Sequence, residues 1–454
     1  MVLKTSVLKT LEDCYRKEGN QLYVLYGRAD SEKEYLIRAF LKNKKSFYYR
    51  ARWASPKEQQ AMMEREIAAQ FQVPINKHNY EEYFKRVRSG DGSKLVVVVD
   101  EFQLIAKKDA AFLEAIVKLK MKKLYPGPVM VLLCSTAVAW VEKEVDACFG
   151  ESGRKRMDGK IKITNLNFLE VVRALPEYSV SECVKTYGVI GGVAGYINRW
   201  DHKADLKTNI CRHILSQEGC LFGAAEQLIS LELRELSVYE TILAAIASGC
   251  DKLNDLYLKT GFARAKISVY MKNLAAFDIV QKVVSFETGG WDNAKKGVYR
   301  IRDNFINFWF RFIYPNLSEL YKLPPEVFYE TYIENGLDEY LERYFREVCM
   351  EYLELLNRVN KVPLSIKKMG TWVGKEGNID IIAQNEIRQN MVGICNWNQS
   401  ELTLAMCQKL KENMKLAHIG AEYYFLFSAK DFAPEVRELA KSDSRYILVD
   451  MNEL

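Results

Sequence analysis

The eight residues Gly27-Arg28-Ala29-Asp30-Ser31-Glu32-Lys33-Glu34 have the length and lysine position of a phosphate-binding loop, GxxxxGK[ST]. In such a loop the glycines let backbone N–H groups close on phosphate, the lysine reaches the outer phosphates, and the last hydroxyl holds magnesium. Gly27 and Lys33 fit. Glu32 stands in place of the second glycine, Glu34 in place of the hydroxyl, and Asp30 adds a third carboxylate. A like charge about 4 Å from a phosphate costs up to about 4 kcal/mol at an effective dielectric of about 20, enough to weaken binding by orders of magnitude. Downstream, the apolar run Leu95–Val99 ends in Asp100 and Glu101, the Walker B pattern for holding magnesium and polarising water. Ser135 and Thr136 end a third apolar run, where a polar sensor of the outer phosphate would stand. ATP with magnesium is the cofactor these elements suit, and its binding is expected to be weak or absent.

A second set of residues suits nucleic acid. Ile267, Tyr270, Met271 and Leu274 repeat at the spacing of one buried helix face, which turns Arg264, Lys266 and Lys272 outward. That mix suits a helix in a major groove, with double-stranded DNA as the partner. Apolar stretches at Ile279–Val284 and Val298–Ile301 flank Gly289-Gly290 as a hairpin would, and this wing adds Lys295, Lys296 and Arg300. Asp251, Asp255 and Asp278 lie nearby, so a protein partner or a second copy of the chain is as good an account of this face as DNA.

These residues need elements to hold them. The 454 residues suffice for two to four domains, and 48% hydrophobic with 27% charged residues is the balance of a globular protein, not a disordered or fibrous one. The net charge of +6 is too mild to establish a nucleic-acid partner by itself. The 10 cysteines form no CxxC pair and the 4 histidines are isolated, so no metal site or disulfide framework is predicted. No apolar run is long enough to span a membrane, and a cytoplasmic location is expected.

Apolar runs at Leu22–Tyr26, Leu95–Val99 and Val129–Cys134, separated by helical stretches, predict a parallel sheet in residues 1–150. After Gly150 strands are expected to stop, leaving a helical lid over 151–236. A winged helix-turn-helix is predicted over 237–330, with its aromatic tail Phe305–Pro315 as core or docking surface. A second α/β domain is predicted over 331–454, with strands at Ile379–Ala383, Met391–Cys395, Tyr423–Phe427 and Tyr446–Val449. The fold class is α/β.

The strings Leu25-Tyr26-Gly27-Arg28, Asp100-Glu101-Phe102, Tyr187 to Tyr196 and Arg300 to Pro315 resemble the prokaryotic AAA/STAND-type P-loop ATPases. These carry a winged helix and a C-terminal domain of unknown function related to PD-(D/E)XK nucleases. The resemblance implies an AAA-like domain with a lid, and a restriction-endonuclease-like domain at the C-terminus. It also implies a metal site built from a helix carboxylate, a strand aspartate and a Glu-x-Lys on the next strand. Asp380 matches the aspartate and Glu347 lies one place late on the helix, with Arg346 at the usual acidic position. Ile394 and Asn396 replace the glutamate and lysine. A degenerate member is therefore expected: a nucleic-acid-associated or scaffolding pseudoenzyme, with no nuclease activity and little or no ATP hydrolysis. The alternative is a working ATP-binding switch coupled to DNA through the winged helix.

Overall fold

Valine-rich runs such as Leu95–Asp100 favour extended backbone, and burial at every position fits strands covered on both faces. The computed structural model describes residues 2–73, 78–233, 235–286, 297–374 and 376–454. The chain divides into two units, Met1–Asn165 with Val193–Asn198, and Leu166–Gly192 with Arg199–Leu454.

The first unit holds a five-stranded parallel sheet of β1 (Gln21–Tyr26), β2 (Ser46–Arg50), β3 (Leu95–Asp100), β4 (Val129–Ser135) and β5 (Gly159–Lys162). Its order is β2-β3-β4-β1-β5. Alternate residues of β1 feed opposite cores: Leu22 and Val24 join one, Tyr23 and Leu25 the other. Because the strands are parallel, β1, β3 and β4 deliver the loop at Gly27, the carboxylates at Asp100 and Glu101, and Ser135 to one edge. β5 corrects the expectation that strands stop after Gly150. Its Gly-Lys-Ile-Lys sequence has no apolar run, because as an edge strand it pairs only with β1. The short segment Val193–Asn198 packs on the loop, with Gly195 N donating to Asp30 O at 2.9 Å. A Cβ at Gly195 would stand 2.7 Å from that oxygen, so no larger residue fits there.

In the second unit, helices Leu236–Ala247, Leu253–Thr260 and Arg264–Ala276 precede the antiparallel pair β6 (Val280–Val284) and β7 (Gly297–Ile301). Ile267, Met271 and Leu274 are buried as their spacing requires. Tyr270 is only half-buried, lying against the Tyr239 ring at 4.7 Å. The Gly289-Gly290 turn, Lys295 and Lys296 lie outside the described residues. The aromatic tail is core: Phe305, Phe308, Trp309 and Phe312 are buried, and Tyr340 packs on Phe308 and Phe312 while donating to Gly188 O at 3.0 Å.

The helix Glu334–Arg358 leads into a mixed sheet of order β14-β12-β10-β9-β8. Its strands are β8 (Lys368–Val373), β9 (Asn378–Gln384), β10 (Asn390–Asn396), β12 (Tyr423–Ser428) and β14 (Tyr446–Asp450). A small parallel pair, β11 (Glu401–Leu402) and β13 (Asp431–Phe432), stands apart. Just past β6, Phe286 N donates to Thr371 O at 2.9 Å, and the Phe286 ring, 3% exposed, enters the core of this sheet with Ile379, Ile382 and Val392. Ser285 Oγ accepts from Val373 N at 3.0 Å. The hairpin strand and the sheet thus share one hydrophobic core.

Candidate functional site

Lys33 opens the helix Lys33–Leu41, and its Nζ lies 2.5 Å from both Asp100 Oδ1 and Glu101 Oε1. All three residues are buried. Burial works against the Lys33 ammonium, but the Asp100 and Glu101 carboxylates outweigh it and hold its pKa above the ordinary lysine value. Burial likewise opposes the Glu101 carboxylate, and Lys33, Gln103 and Thr136 overcome it, so its pKa falls below the ordinary one. Tyr48 OH donates to Asp100 Oδ2 at 3.0 Å; Gln103 Nε2 and Thr136 Oγ1 donate to Glu101 Oε2 at 2.6 and 2.7 Å. Ser135 Oγ accepts from Ala137 N at 3.0 Å and caps the turn after β4. Sequence reasoning missed Tyr48 and Gln103, which belong to no motif.

The loop keeps a glycine-like backbone without the glycine. Glu32 has φ +58° and Asp30 φ +60°, left-handed values that cost a residue with a side chain about 1–2 kcal/mol. Gly27 is required, because a Cβ there would stand 2.8 Å from Ile163 Cβ. Glu34, at the hydroxyl position, pairs with Arg50. Ser31 Oγ is buried with no hydrogen-bond partner among the described residues, a donor the loop leaves unused. This set does not fit a magnesium triphosphate: the lysine is already neutralised by two carboxylates, and a carboxylate stands where the metal-binding hydroxyl would be.

At the C-terminal candidate site, each surviving carboxylate has its own guanidinium. Arg346 Nε lies 3.0 Å from Asp380 Oδ1, and Arg343 Nε donates to Glu347 Oε1 at 2.9 Å. Asp380 Oδ2 accepts from Cys395 N at 3.0 Å. Ile394 sits in the sheet core, and Asn396, also buried, binds Gln399 and Ser428. Among the described residues, no group of three or more His, Cys, Asp or Glu side chains could hold a metal ion.

On the third helix of the winged region Arg264, Lys266 and Lys272 are exposed, with Val269 56% exposed among them. Arg264 stacks 4.1 Å over the Tyr257 ring and donates to Asn254 Oδ1 at 2.5 Å; Lys266 lies over the Phe262 ring at 5.1 Å. Arg300, by contrast, is half-buried and close to Arg343 and Arg346.

Residues 309–410 match the family model described as archaeal and bacterial proteins of unknown function. An uncharacterized protein of Methanocaldococcus jannaschii is 27% identical over 397 residues, covering 84% of this chain and 83% of its own length. Similar solved structures include the Walker-type ATPase PABY2304 of Pyrococcus abyssi, at 18% identity and a TM-score of 0.49 over 68% of this chain and 96% of that one. The Aeropyrum pernix ORC2 protein gives 12% identity and a TM-score of 0.46 over 70% and 93%. The chain is thus an α/β protein, with a five-stranded parallel sheet in its N-terminal unit, whose residues 309–410 match archaeal and bacterial proteins of unknown function.

Proposed function

We propose that this protein is a degenerate AAA/STAND-type member that associates with double-stranded DNA or scaffolds other proteins, cleaves no DNA, and hydrolyses ATP weakly or not at all. One observation carries the reading: the acidic residues of both enzyme-like sites are closed by the chain's own cations. Lys33 closes Asp100 and Glu101, Arg346 closes Asp380, and Arg343 closes Glu347. A carboxylate held this way at 2.5–3.0 Å is not available to a divalent metal without losing its ion pair, which is buried at Lys33 and half-buried at the two arginines.

The exposed Arg264, Lys266 and Lys272 support association with a polyanion, and Lys295 and Lys296 are proposed to extend that face. No helix among the described residues is long and apolar enough to cross a membrane, in keeping with a cytoplasmic role. The test is fluorescence anisotropy with duplex DNA at several salt concentrations, beside an ATPase assay. Salt-sensitive binding with no turnover supports the reading; rapid hydrolysis abolished by Lys33→Ala would replace it with the ATP-driven switch. The unused Ser31 hydroxyl is the observation on the switch's side.

A further inference from the structure

Three arginines meet where β7 faces the helix Glu334–Arg358. Arg343 Nη2 donates to Ile301 O at 2.8 Å, which brings it beside Arg300, the preceding residue of β7. Arg346 follows one turn along the same helix. Donors and acceptors do not balance here. Glu347 accepts from Arg343. Asp380 is ion-paired with Arg346 at 3.0 Å, but the buried Arg346 Nε makes no hydrogen bond to a described residue. The Arg300 backbone is paired with Gln281 of β6, but its guanidinium has neither a hydrogen bond nor an ion pair to any described residue. Burial first, then the charges of Arg343 and Arg346, push the Arg300 guanidinium below its ordinary pKa, while Glu347 and Asp251 act more weakly in the opposite sense.

We infer that Arg300, Arg343 and Arg346 form a binding site for a phosphate-class oxyanion at the junction of β7 and the helix Glu334–Arg358. A half-buried guanidinium without a partner beside two others is costly, and it would repel a divalent cation. A tetrahedral oxyanion offers several acceptors to forked donors, and a charge-assisted pair of this kind is roughly twice as strong as a neutral hydrogen bond. The phosphate group can come from free phosphate or from a nucleic-acid backbone. The site does not depend on DNA binding by Arg264, Lys266 and Lys272, which lie on a different element.

The test uses the full chain, titrated calorimetrically with inorganic phosphate against chloride of equal ionic strength, and with duplex DNA by anisotropy. Phosphate should bind wild type and Lys441→Ala, a change at an exposed lysine of neither site, alike, and about tenfold more weakly to Arg300→Met. If free phosphate does not bind but Arg300→Met weakens duplex binding and flattens its salt slope by about one unit, the oxyanion is a backbone phosphate and the site stands. Phosphate and duplex binding both indifferent to Arg300→Met would overturn it. Should Arg300→Met not fold, Arg300→Lys decides: it keeps the charge but loses the fork, so binding about threefold weaker supports the site and unchanged binding overturns it.

Discussion

Lys33 bridges Asp100 and Glu101 at 2.5 Å each, so the lysine that a phosphate loop holds out to nucleotide is here the counter-ion of the strand-end carboxylates. To meet a phosphate it would have to leave two buried negative charges behind. ATP binding is therefore expected to be weaker than about 100 μM, or roughly −5.5 kcal/mol, with no turnover. Calorimetry giving micromolar affinity would contradict this. Glu32→Gly with Glu34→Thr should recover binding.

Removing the bridge should be severe. Lys33→Met leaves Asp100 and Glu101 buried without their cation and should cost about 3–5 kcal/mol, measured by urea unfolding. In the wild type, the contribution of the raised Lys33 pKa is fully present below the unfolded lysine value of about 10.4 and is lost as pH rises through the folded value. The contribution of the depressed Glu101 pKa is present above about 4.3 and lost as pH falls through its folded value. A stability plateau between those limits is expected. In Lys33→Met the acid side should invert, with stability rising on acidification as Glu101 takes up a proton.

Glu32 is held at φ +58°, a conformation glycine adopts freely. Glu32→Gly alone should stabilise the fold by about 1 kcal/mol, seen as a higher urea midpoint at unchanged slope. An unchanged or lower midpoint would mean that contacts of the Glu32 side chain outweigh the backbone strain.

No nicking of plasmid DNA is expected with magnesium or manganese, because Asp380 and Glu347 are each paired with an arginine. Cleavage that vanishes in Asp380→Ala would show that other carboxylates complete a metal site.

On the third helix of the winged region, Lys266→Ala and Lys272→Ala should each reduce the slope of log affinity against log salt by about 0.9 if each touches a phosphate. Arg264 is stacked on Tyr257 and bonded to Asn254, so Arg264→Ala should cost some stability as well as relax sequence preference. Duplex binding indifferent to all three changes would favour protein docking.

The central strands were legible because β1, β3 and β4 are buried on both faces and read as unbroken apolar runs. β2 and β5 were not, since each pairs on one side only and carries polar residues among its few positions. Lys33, Asp100, Glu101 and Thr136 stood out by their motif positions, whereas Tyr48 and Gln103 belong to no motif and reach the site only through the packing of the strands and the turn after β3. The losses at Ile394 and Asn396 were visible residue by residue. That Arg346 neutralises Asp380 could be seen only once helix and strand were packed together. Tyr270 matched the helical period yet remains half-exposed, because its hydroxyl reaches Glu235.

Phe286 is carried by the hairpin strand but buried under the sheet beyond it, close to Gly370, where a Cβ would stand 3.3 Å from the ring. A chimera joining the β6–β7 pair and the three helices before it to a foreign sheet would carry off an unsheltered aromatic ring and leave a hollow behind. Recombination can therefore pass the two on together, but not exchange one without the other.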